Sequence, residues 1–397
     1  MFRLYLYKFL IDFWVIVPVI VPFYRSHGLN ATRIFTIQAA FSLSQFLFEI
    51  PSGYLADVVG RRRTLILSAL FMMAGIGIYT ASTCFIQFVA AEIILGLAGA
   101  LRSGTDSAYL YDYLQNINDE HRYRRYEGIA EFWSRTGTAV SSIAGGVLAA
   151  FVTLRLPFYV NLVSAFVMLV TGISLREPLR AKKPEGNALA NILRITRKSI
   201  TCPALFSVML QMSLMFSMGV TAIWGYFILY RNFAIPLFWH GIIFAAMQLT
   251  SAFSARHGAA IEKRLGQRLT PFLLCGPGIL LIASGAARHP AILLPLVFFL
   301  AAIWGMSTPI LLGKIQDLTS SKVRATTLSV GSMVGRTLTI LLGPLFGYCT
   351  DRFSVEWAFA GMGILFLVAF PGAIRLASFR PSTDHIDIRQ DVEPVAD

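Results

Sequence analysis

Long apolar runs separated by short polar connectors fill almost the whole chain. Most of these runs hold about 20 residues or more, the length that crosses a lipid bilayer as an α-helix. The pattern therefore predicts an all-α integral membrane protein with about twelve transmembrane helices. We expect these helices near residues 4–24, 31–55, 64–83, 85–114, 127–152, 157–175, 202–230, 237–257, 270–287, 291–318, 326–349 and 356–376.

The longest polar interval divides the predicted helices into two sets of six. It covers residues 176–200 and is rich in basic side chains. We predict an N-terminal half at 1–175, a cytoplasmic linker at 176–200 and a C-terminal half at 201–377. The charged remainder, 378–397, contains two prolines and is predicted to be a disordered cytoplasmic tail.

Composition excludes several classes of protein. A hydrophobic fraction of 56% with only 14% charged residues does not fit a soluble globular protein, which carries about 25% charged residues. The net charge of +13 is the excess that builds up when Lys and Arg collect in short cytoplasmic loops. We therefore expect no nucleic-acid partner, a multi-pass chain in the cytoplasmic (inner) membrane with the lipid bilayer around it, and both termini on the cytoplasmic side.

The sequence shows no motif for a metal, a disulfide framework or catalysis. The four cysteines stand singly without a CxxC pair, and the six histidines show no HExxH spacing. No set of nucleophile and base is visible either. We expect no cofactor, no metal centre and no enzymatic activity, and we predict that the protein acts as a monomer.

The connector between the second and third predicted helices holds a specific motif. It joins two apolar runs and reads GYLADVVGRRR over residues 53–63. Its Gly-x-x-x-Asp-x-x-Gly-Arg-Arg spacing resembles the signature loop between the second and third helices of the major facilitator superfamily. The matching residues are Gly53, Asp57, Gly60, Arg61 and Arg62.

The resemblance implies a secondary transporter that works by alternating access, with its substrate site between two six-helix halves. It also implies that the loop belongs to a cytoplasmic gate, which latches the outward-facing state. In that gate we expect Arg61 to meet Asp112 at the inner end of the fourth helix, and Asp57 to cap or pair at the ends of the second and eleventh helices. The predicted gate residues are Gly53, Asp57, Gly60, Arg61 and Asp112.

An internal repeat supports the two halves. Asp57 and Glu262 both lie in a loop between the second and third helices of a half, and they are 205 residues apart. Asp112 and Asp317 both lie near the end of a fourth helix, at the same offset. This agrees with two six-helix halves related by a parallel repeat.

Two carboxylates of the predicted membrane helices are candidates for proton coupling, because ionisable groups inside a membrane are costly and usually functional. Asp12 lies about 12 Å into the first helix, and no evident basic partner lies one turn away. Glu92 stands where the fourth-helix motif of the family, which residues 92–100 resemble, has an arginine. We expect Asp12 and Glu92 to take part in proton coupling. The alternatives for Asp12 are an ion pair with another helix and an incidental acid at the interface.

Two further pairs of opposite charge are spaced four residues apart on adjacent helices. Arg102 and Asp106 lie on the fourth predicted helix, and Glu131 and Arg135 lie on the fifth. We expect all four side chains to form one central network. This network is a structural clasp between the helices in one interpretation. In the other, it breaks and re-forms as the halves move, or Arg102 or Arg135 meets an anionic group of the substrate.

Small residues mark the fifth predicted helix. The spacing Gly137-x-x-x-Ser141-Ser142-x-x-Gly145-Gly146 is similar to a motif associated with antiporters in the same superfamily. Small residues at this spacing also let helices pack closely. Both interpretations stay open on the sequence alone.

Our hypothesis is a proton-coupled antiporter that exports a small organic solute. In this hypothesis the proton and a cationic or amphipathic solute compete for Asp12. The first alternative is a symporter that imports a small metabolite or metal chelate together with protons. The second alternative, from another class, is a membrane sensor that transports nothing.

Overall fold

The computed structural model describes residues 1–178, 188–266, 269–319 and 321–378, and no strand is found among them. The α-helices in this part of the chain are α1 (Phe2–Ile11), α2 (Ile20–Ser26), α3 (Ala31–Val59), α4 (Arg61–Ala81), α5 (Phe85–Arg102), α6 (Thr105–Asn116), α7 (Tyr123–Phe151), α8 (Leu156–Ser174), α9 (Ala188–Thr201), α10 (Pro203–Asn232), α11 (Leu237–Leu265), α12 (Leu269–Ala286), α13 (Pro290–Leu318), α14 (Ser321–Arg352) and α15 (Val355–Ser378). The predicted all-helical architecture is confirmed.

The described helices combine into twelve long segments, with α9 as an additional helix. Ten segments are single helices, whereas the first consists of α1 and α2 and the fourth of α5 and α6. Eight helical segments in the described ranges are long and apolar enough to cross a membrane by length and composition. The protein is therefore a multi-pass membrane protein.

The first segment is interrupted between Ile11 and Ile20. α1 ends at Ile11, and only a short 3-10 turn at Val17–Val19 precedes α2. The predicted continuous helix over 4–24 is therefore wrong. Pro18 explains part of the interruption, because proline has no N–H to donate and disfavours the helical conformation of the residue before it.

The fourth segment is also interrupted. α5 ends at Arg102, and α6 begins at Thr105 after Gly104, whose φ of 70° lies in the left-handed region. Glycine adopts that conformation without the steric cost of a Cβ atom. The predicted span over 85–114 corresponds to a candidate membrane span at Phe85–Asn116, but its helix is not continuous, and the residues on the two sides of Gly104 no longer share one helix face.

The predicted linker contains a helix near its end. α9 covers Ala188–Thr201, and its residue Ile195 packs against a buried cluster that includes Leu205, Met209 and Ile315. The earlier part of the linker, 179–187, lies outside the described residues. The tail that we predict to be disordered, from 379 onward, also lies outside them.

The described residues group into two compact units. The first takes its residues from 1–183, 224–249 and 343–352, and the second takes the remainder. Three helices, α10, α11 and α14, contribute to both units. The division into halves at 1–175 and 201–377 concerns the sequence repeat and stays a prediction.

In the first unit, α5 packs against α3 and α4, α4 against α8, and α1 against α7 and α8. Large aromatic side chains fill its core, and each is at most 1% exposed: Phe23, Tyr24, Tyr79, Phe88 and Phe158. In the second unit, α12 packs against α13 and α15. A Cβ atom at Gly278 of α12 would lie 2.9 Å from the carbonyl oxygen of Gly363 in α15, so these two helices meet backbone to backbone.

Glycines of α7 allow the closest approach to the first segment. A Cβ atom at Gly145 would lie 2.0 Å from the carbonyl oxygen of Val15, and one at Gly137 would lie 2.3 Å from that of Phe9. No side chain fits at such distances. The small-residue spacing of α7 therefore serves packing, and its role in antiport stays a prediction.

We expect Gly145→Ala to destabilise the protein by about 1–3 kcal/mol, because the added methyl group forces the α7 backbone away from Val15. Thermal unfolding of the purified protein in detergent measures this effect. Gly361→Ala in α15 is the matched control, since nothing lies within 4 Å of a Cβ atom there. Equal unfolding temperatures for the two variants would contradict the close packing described here.

Candidate functional site

The interruption of the first segment frees backbone groups inside the membrane, and polar side chains satisfy them. The carbonyl oxygen of Ile11 accepts hydrogen bonds from Arg102 Nη1 at 2.8 Å and from the indole N–H of Trp14 at 3.0 Å. Unsatisfied backbone groups in lipid cost several kcal/mol each. Arg102, at the end of α5, therefore helps to hold the end of α1.

Two more helices contribute donors to the same stretch. The hydroxyl of Thr138 in α7 donates to the carbonyl oxygen of Asp12 at 3.3 Å. The amide of Asn161 in α8 donates to the carbonyl oxygen of Phe13 at 3.2 Å and accepts from the backbone N–H of Ile16 at 3.4 Å. Side chains of α5, α7 and α8 thus fix the path of the interrupted backbone.

The carboxylate of Asp12 pairs with Arg102. Arg102 Nη1 lies 3.1 Å from Asp12 Oδ1, and the hydroxyl of Ser134 donates a short hydrogen bond to Oδ2. The partner of Asp12 comes from another helix, as one of the alternatives predicted, and the role of Asp12 in proton coupling stays a prediction. The two residues are 90 positions apart, so helical spacing around Asp12 could not indicate the pair.

Asp106 pairs with Lys8 and not with Arg102. Lys8 Nζ lies 2.6 Å from Asp106 Oδ2 and 3.7 Å from Glu127 Oε1, and Lys8 is only 4% exposed. The break at Gly104 separates Arg102 from Asp106, which is why their predicted pairing along one helix is wrong. Sequence reasoning missed Lys8 and Glu127, although a lysine within an apolar run was a signal.

The pair predicted on the fifth helix is present. Arg135 Nε donates to Glu131 Oε1 at 2.8 Å, and both side chains are more than half exposed. The predicted single network of four residues is therefore wrong. In its place the structure has the pairs Asp12–Arg102 and Glu131–Arg135, and Lys8 with two other carboxylates.

A cavity of about 360 Å³ opens beside the interruption of the first segment. This volume is large enough for a small organic ligand. Its wall combines carboxylates, a guanidinium group, hydroxyls and aromatic rings. The lining residues are Asp12, Trp14, Val17, Glu131, Arg135, Thr138, Ser142, Phe244 and Gln248. The wall can therefore bind both charged and apolar groups of one solute.

Glu92 lies elsewhere, in a buried cluster of neutral polar groups. Its Oε1 accepts hydrogen bonds from the hydroxyl of Tyr79 at 2.6 Å, from the amide of Gln38 at 3.1 Å and from the hydroxyl of Tyr24 at 3.3 Å. Glu92 is 5% exposed and takes part in none of the ion pairs found in the described ranges. It does not line the cavity beside Asp12.

The predicted gate residues lie around the connector between α3 and α4. Arg61 Nη2 lies 2.8 Å from Asp57 Oδ1, and Arg61 Nε lies 3.5 Å from Asp112 Oδ2. Gly60 has a φ of 127°, a conformation that other residues rarely adopt. Gly53 has open space around it. The contact between Arg61 and Asp112 is thus present, and its role in gating stays a prediction.

Asp351, which sequence reasoning missed, caps the other end of α3. Its carboxylate accepts hydrogen bonds from the backbone N–H groups of Ala31 at 2.9 Å and Thr32 at 2.7 Å, and from the Thr32 hydroxyl at 2.6 Å. A carboxylate is favourable at a helix N-terminus, where unpaired N–H groups carry partial positive charge. α3 is therefore held by a carboxylate contact at each end.

Among the residues that the structure describes, no group of three or more His, Cys, Asp or Glu side chains could hold a metal ion. The polar groups on the cavity wall are two carboxylates, a guanidinium group, hydroxyls and an amide.

Comparison with known proteins places the chain in a family. A family model described as Major Facilitator Superfamily matches residues 9–344. The tetracycline resistance protein, class H, of Pasteurella multocida is 23% identical over 362 residues, which are 86% of this chain and 85% of that protein. Two further relatives match over shorter stretches.

An uncharacterized MFS-type transporter of Methanocaldococcus jannaschii is 27% identical over 149 residues, which are 36% of this chain and 36% of that protein. Multidrug resistance protein 2 of Bacillus subtilis is 24% identical over 189 residues, which are 45% of this chain and 46% of that protein. The matches thus span less than half the length of these two relatives.

Solved transporter structures resemble the chain over nearly its whole length. A mutant of the nucleoside transporter NupG has a TM-score of 0.76 at 14% identity, covering 94% of this chain and 99% of that chain. A bacterial homolog to the human lysosomal transporter Spinster has a TM-score of 0.75 at 16% identity, covering 94% and 95%. At identities this low, the likeness shows the fold alone. The TM-scores confirm the predicted fold class.

We expect Arg102→Gln to destabilise the protein by about 1–3 kcal/mol, because it leaves the Asp12 carboxylate and the Ile11 carbonyl without their common donor. The double variant with Asp12→Asn should recover part of that loss, since it removes the unpaired charge. Thermal unfolding of the single and double variants measures the coupling. Arg135→Gln is the control, because its exposed pair contributes at most about 1 kcal/mol. Additive effects of Arg102→Gln and Asp12→Asn would show that the pair is not coupled.

Proposed function

Because the chain belongs to the major facilitator superfamily, we propose that this membrane transporter exports a small organic solute in exchange for protons. The observation that carries the proposal is the interrupted first segment, which places the Asp12 carboxylate on the wall of a ligand-sized cavity. Discontinuous membrane helices often form the substrate and ion sites of secondary transporters. The family model and the names of the relatives place the chain among transporters and not among enzymes.

The direction of transport is proposed from the relatives. Two of them are named for resistance to tetracycline or to multiple drugs, and export from the cell is a route to resistance. We extend this direction to the present chain as part of the proposal. The protein would act as a monomer in the cytoplasmic membrane, with both termini and the loop at 53–63 on the cytoplasmic side, as the positive charge of that loop suggests.

Asp12 is the proposed site of competition between proton and solute. Ionised Asp12 offers a carboxylate to the cationic group of a solute and keeps its pair with Arg102. A proton that arrives at Asp12 removes this negative charge, weakens both interactions and favours release of the solute. The exchange is balanced, because one proton enters the site as one cationic group leaves.

Glu92 is the second proposed proton acceptor. Its partners are two tyrosine hydroxyls and an amide, which are neutral groups. A buried carboxylate among neutral donors can hold a proton without the loss of an ion pair. We therefore assign Glu92 a supporting role in coupling, away from the solute.

The contacts at the two ends of α3 are the proposed gate. Arg61 with Asp57 and Asp112 would form the cytoplasmic latch together with Gly53 and Gly60. The Asp351 cap would be its counterpart at the other end. The two latches would alternate as the transporter opens to one side and then to the other.

We expect Asp12→Asn to abolish transport that is driven by a pH gradient in proteoliposomes, because the asparagine amide cannot exchange a proton. Glu92→Gln should reduce this transport by about tenfold, which corresponds to about 1.4 kcal/mol in the barrier. Solute flux and internal pH, recorded in the same vesicles, give both readouts. Glu120→Gln, in the exposed 3-10 turn before α7, is the control and should behave as the unchanged protein.

The direction of proton movement separates the alternatives. An antiporter moves protons against the solute, whereas a symporter moves them with it. Alkalinisation or acidification of the vesicle lumen during solute influx therefore decides between export by exchange and import with protons. Unchanged pH-driven transport by Asp12→Asn would show that the assignment of Asp12 is wrong.

We expect Asp57→Asn to lower turnover by about tenfold while the affinity for solute stays the same, because Asp57 lies in the latch and not in the cavity. Initial rates of transport give turnover, and ligand-dependent thermal stabilisation gives affinity. Arg63→Gln, an exposed neighbour in the same loop, should change neither. A large loss of affinity in Asp57→Asn would place this residue in the binding site and not in a gate.

A further inference from the structure

Two ion pairs lie at the cavity, and the charges of the pairs balance. Asp12, Glu131 and Arg135 line the wall, and Arg102, which does not line it, pairs with Asp12. We propose that the solute is zwitterionic, a small molecule that carries a cationic group, an anionic group and an apolar body. This inference names the substrate class of the cavity, and it rests on the proposed function.

The two ion pairs differ in how many of their hydrogen-bonding groups are occupied. Arg102 donates to both Ile11 and Asp12, and Asp12 also accepts from Ser134. These groups hold the interrupted helix together. Arg135 is attached to Glu131 by one hydrogen bond from Nε, and its Nη atoms take part in none of the hydrogen bonds found among the described residues.

Glu131 and Arg135 therefore offer a solute further hydrogen-bonding atoms beside the Asp12 carboxylate, which lines the same cavity. Both line the cavity, and both are more than half exposed. The guanidinium fork of Arg135 can bind a carboxylate through two parallel hydrogen bonds. Glu131 accepts the hydrogen bond from Arg135 on Oε1, and its second oxygen can accept one from an ammonium group.

A solute with a single charge would bind this pair at a disadvantage. A cation that takes Glu131 leaves Arg135 without its partner, and an anion that takes Arg135 leaves Glu131 alone. In either case one new ion pair forms while the existing pair is lost, so a singly charged solute gains little. A zwitterion replaces both partners at once, so neither side chain loses its counter-charge.

The spacing and the remaining wall fit such a molecule. Residues four apart on a helix have Cβ atoms about 5–6 Å apart, which suits two opposite charges only a few bonds apart on one molecule. Trp14, Val17 and Phe244 offer an apolar surface to its body. Thr138, Ser142 and Gln248 offer hydrogen bonds to other polar groups.

Charged groups behind the cavity wall support a competing possibility, a solute that carries only a cationic group. Lys8 is engaged by Asp106 and Glu127, so this cluster carries one more carboxylate than it has cations. The excess would favour a purely cationic solute. The experiment must therefore compare a zwitterion with a cation on the same molecular skeleton.

Two matched series of probes make this comparison. The first is phenylalanine, 2-phenylethylamine and 3-phenylpropionate, and the second is tryptophan, tryptamine and indole-3-propionate. In each series the members share an aromatic skeleton and differ in carrying both charges, the cation alone or the anion alone. We expect the zwitterion to stabilise the full-length protein with a Kd at least about tenfold lower than either singly charged member. A lower Kd for the amine, or no binding of either zwitterion at millimolar concentration, would overturn the proposal.

Variants of the pair test whether both charges are used. Glu131→Gln and Arg135→Gln should each weaken zwitterion binding at least about tenfold. The double exchange Glu131→Arg/Arg135→Glu keeps both charges and the helix pairing, and it should restore binding to within about threefold. Arg122→Gln removes a cation that pairs with Asp119 outside the cavity, and it should have no effect. If the double exchange binds no better than the single variants while its unfolding temperature without ligand is unchanged, the proposal is overturned.

A flux measurement keeps this inference distinct from the proposed function. If vesicles exchange protons for the lipophilic cation tetraphenylphosphonium but the protein binds no zwitterion, the antiport proposal stands and the zwitterion proposal is overturned. If the protein binds a zwitterion but no protons move, the proposed substrate class stands and the antiport proposal is overturned.

Discussion

The broken backbone between α1 and α2 is the constraint on which the rest of the site depends. Lipid cannot satisfy the peptide groups that the break exposes, so polar side chains must reach them from neighbouring helices. Arg102, Thr138 and Asn161 do so from α5, α7 and α8. The break thereby fixes the positions of three other membrane helices, and it turns Asp12 out of a helix and onto the wall of a cavity.

The charges at the two helix interruptions complement one another. Asp12 directly follows the C-terminus of α1, where the helix dipole disfavours a carboxylate, and Arg102 offsets both negative charges. Lys8 lies in the last turn of α1 and Asp106 in the first turn of α6. Each charge therefore interacts favourably with the dipole of its own helix, in addition to the ion pair between them. At the two interruptions, each charged residue of the first segment therefore pairs with an opposite charge of the fourth segment.

Sequence patterns were sufficient for the features that depend on local spacing. Apolar runs gave the membrane class and the helical architecture, the connector at 53–63 gave the family, and helical spacing gave the pair of Glu131 and Arg135. The partner of Asp12 could not be found in this way, because Arg102 is 90 residues away and hydropathy does not show which helix faces which. Gly104 was visible in the sequence, but a single glycine within an apolar run does not distinguish a break from close packing.

Asp351 marks a second limit of sequence reasoning. A carboxylate near the end of a predicted helix gives no indication that it caps α3, more than 300 residues earlier in the chain. The same limit applies to Glu92, whose three donors come from separate elements. Long-range polar contacts in a membrane protein depend on depth and rotation of helices, which are set by packing and not by local sequence.

The strengths of these contacts divide the first unit into parts that can and cannot rearrange. The contact of α7 with the first segment depends on glycines, where a single Cβ atom would lie about 2 Å from a carbonyl oxygen, so any sliding of these backbones meets steric repulsion. The contacts at the ends of α3 are hydrogen bonds and partly exposed ion pairs, which contribute about 1 kcal/mol each. Solute binding and proton transfer involve free energies of that size or larger. In the proposed transport cycle the packed helices around Asp12 therefore move as a rigid body, while the carboxylate contacts at Asp57 and Asp351 break and re-form.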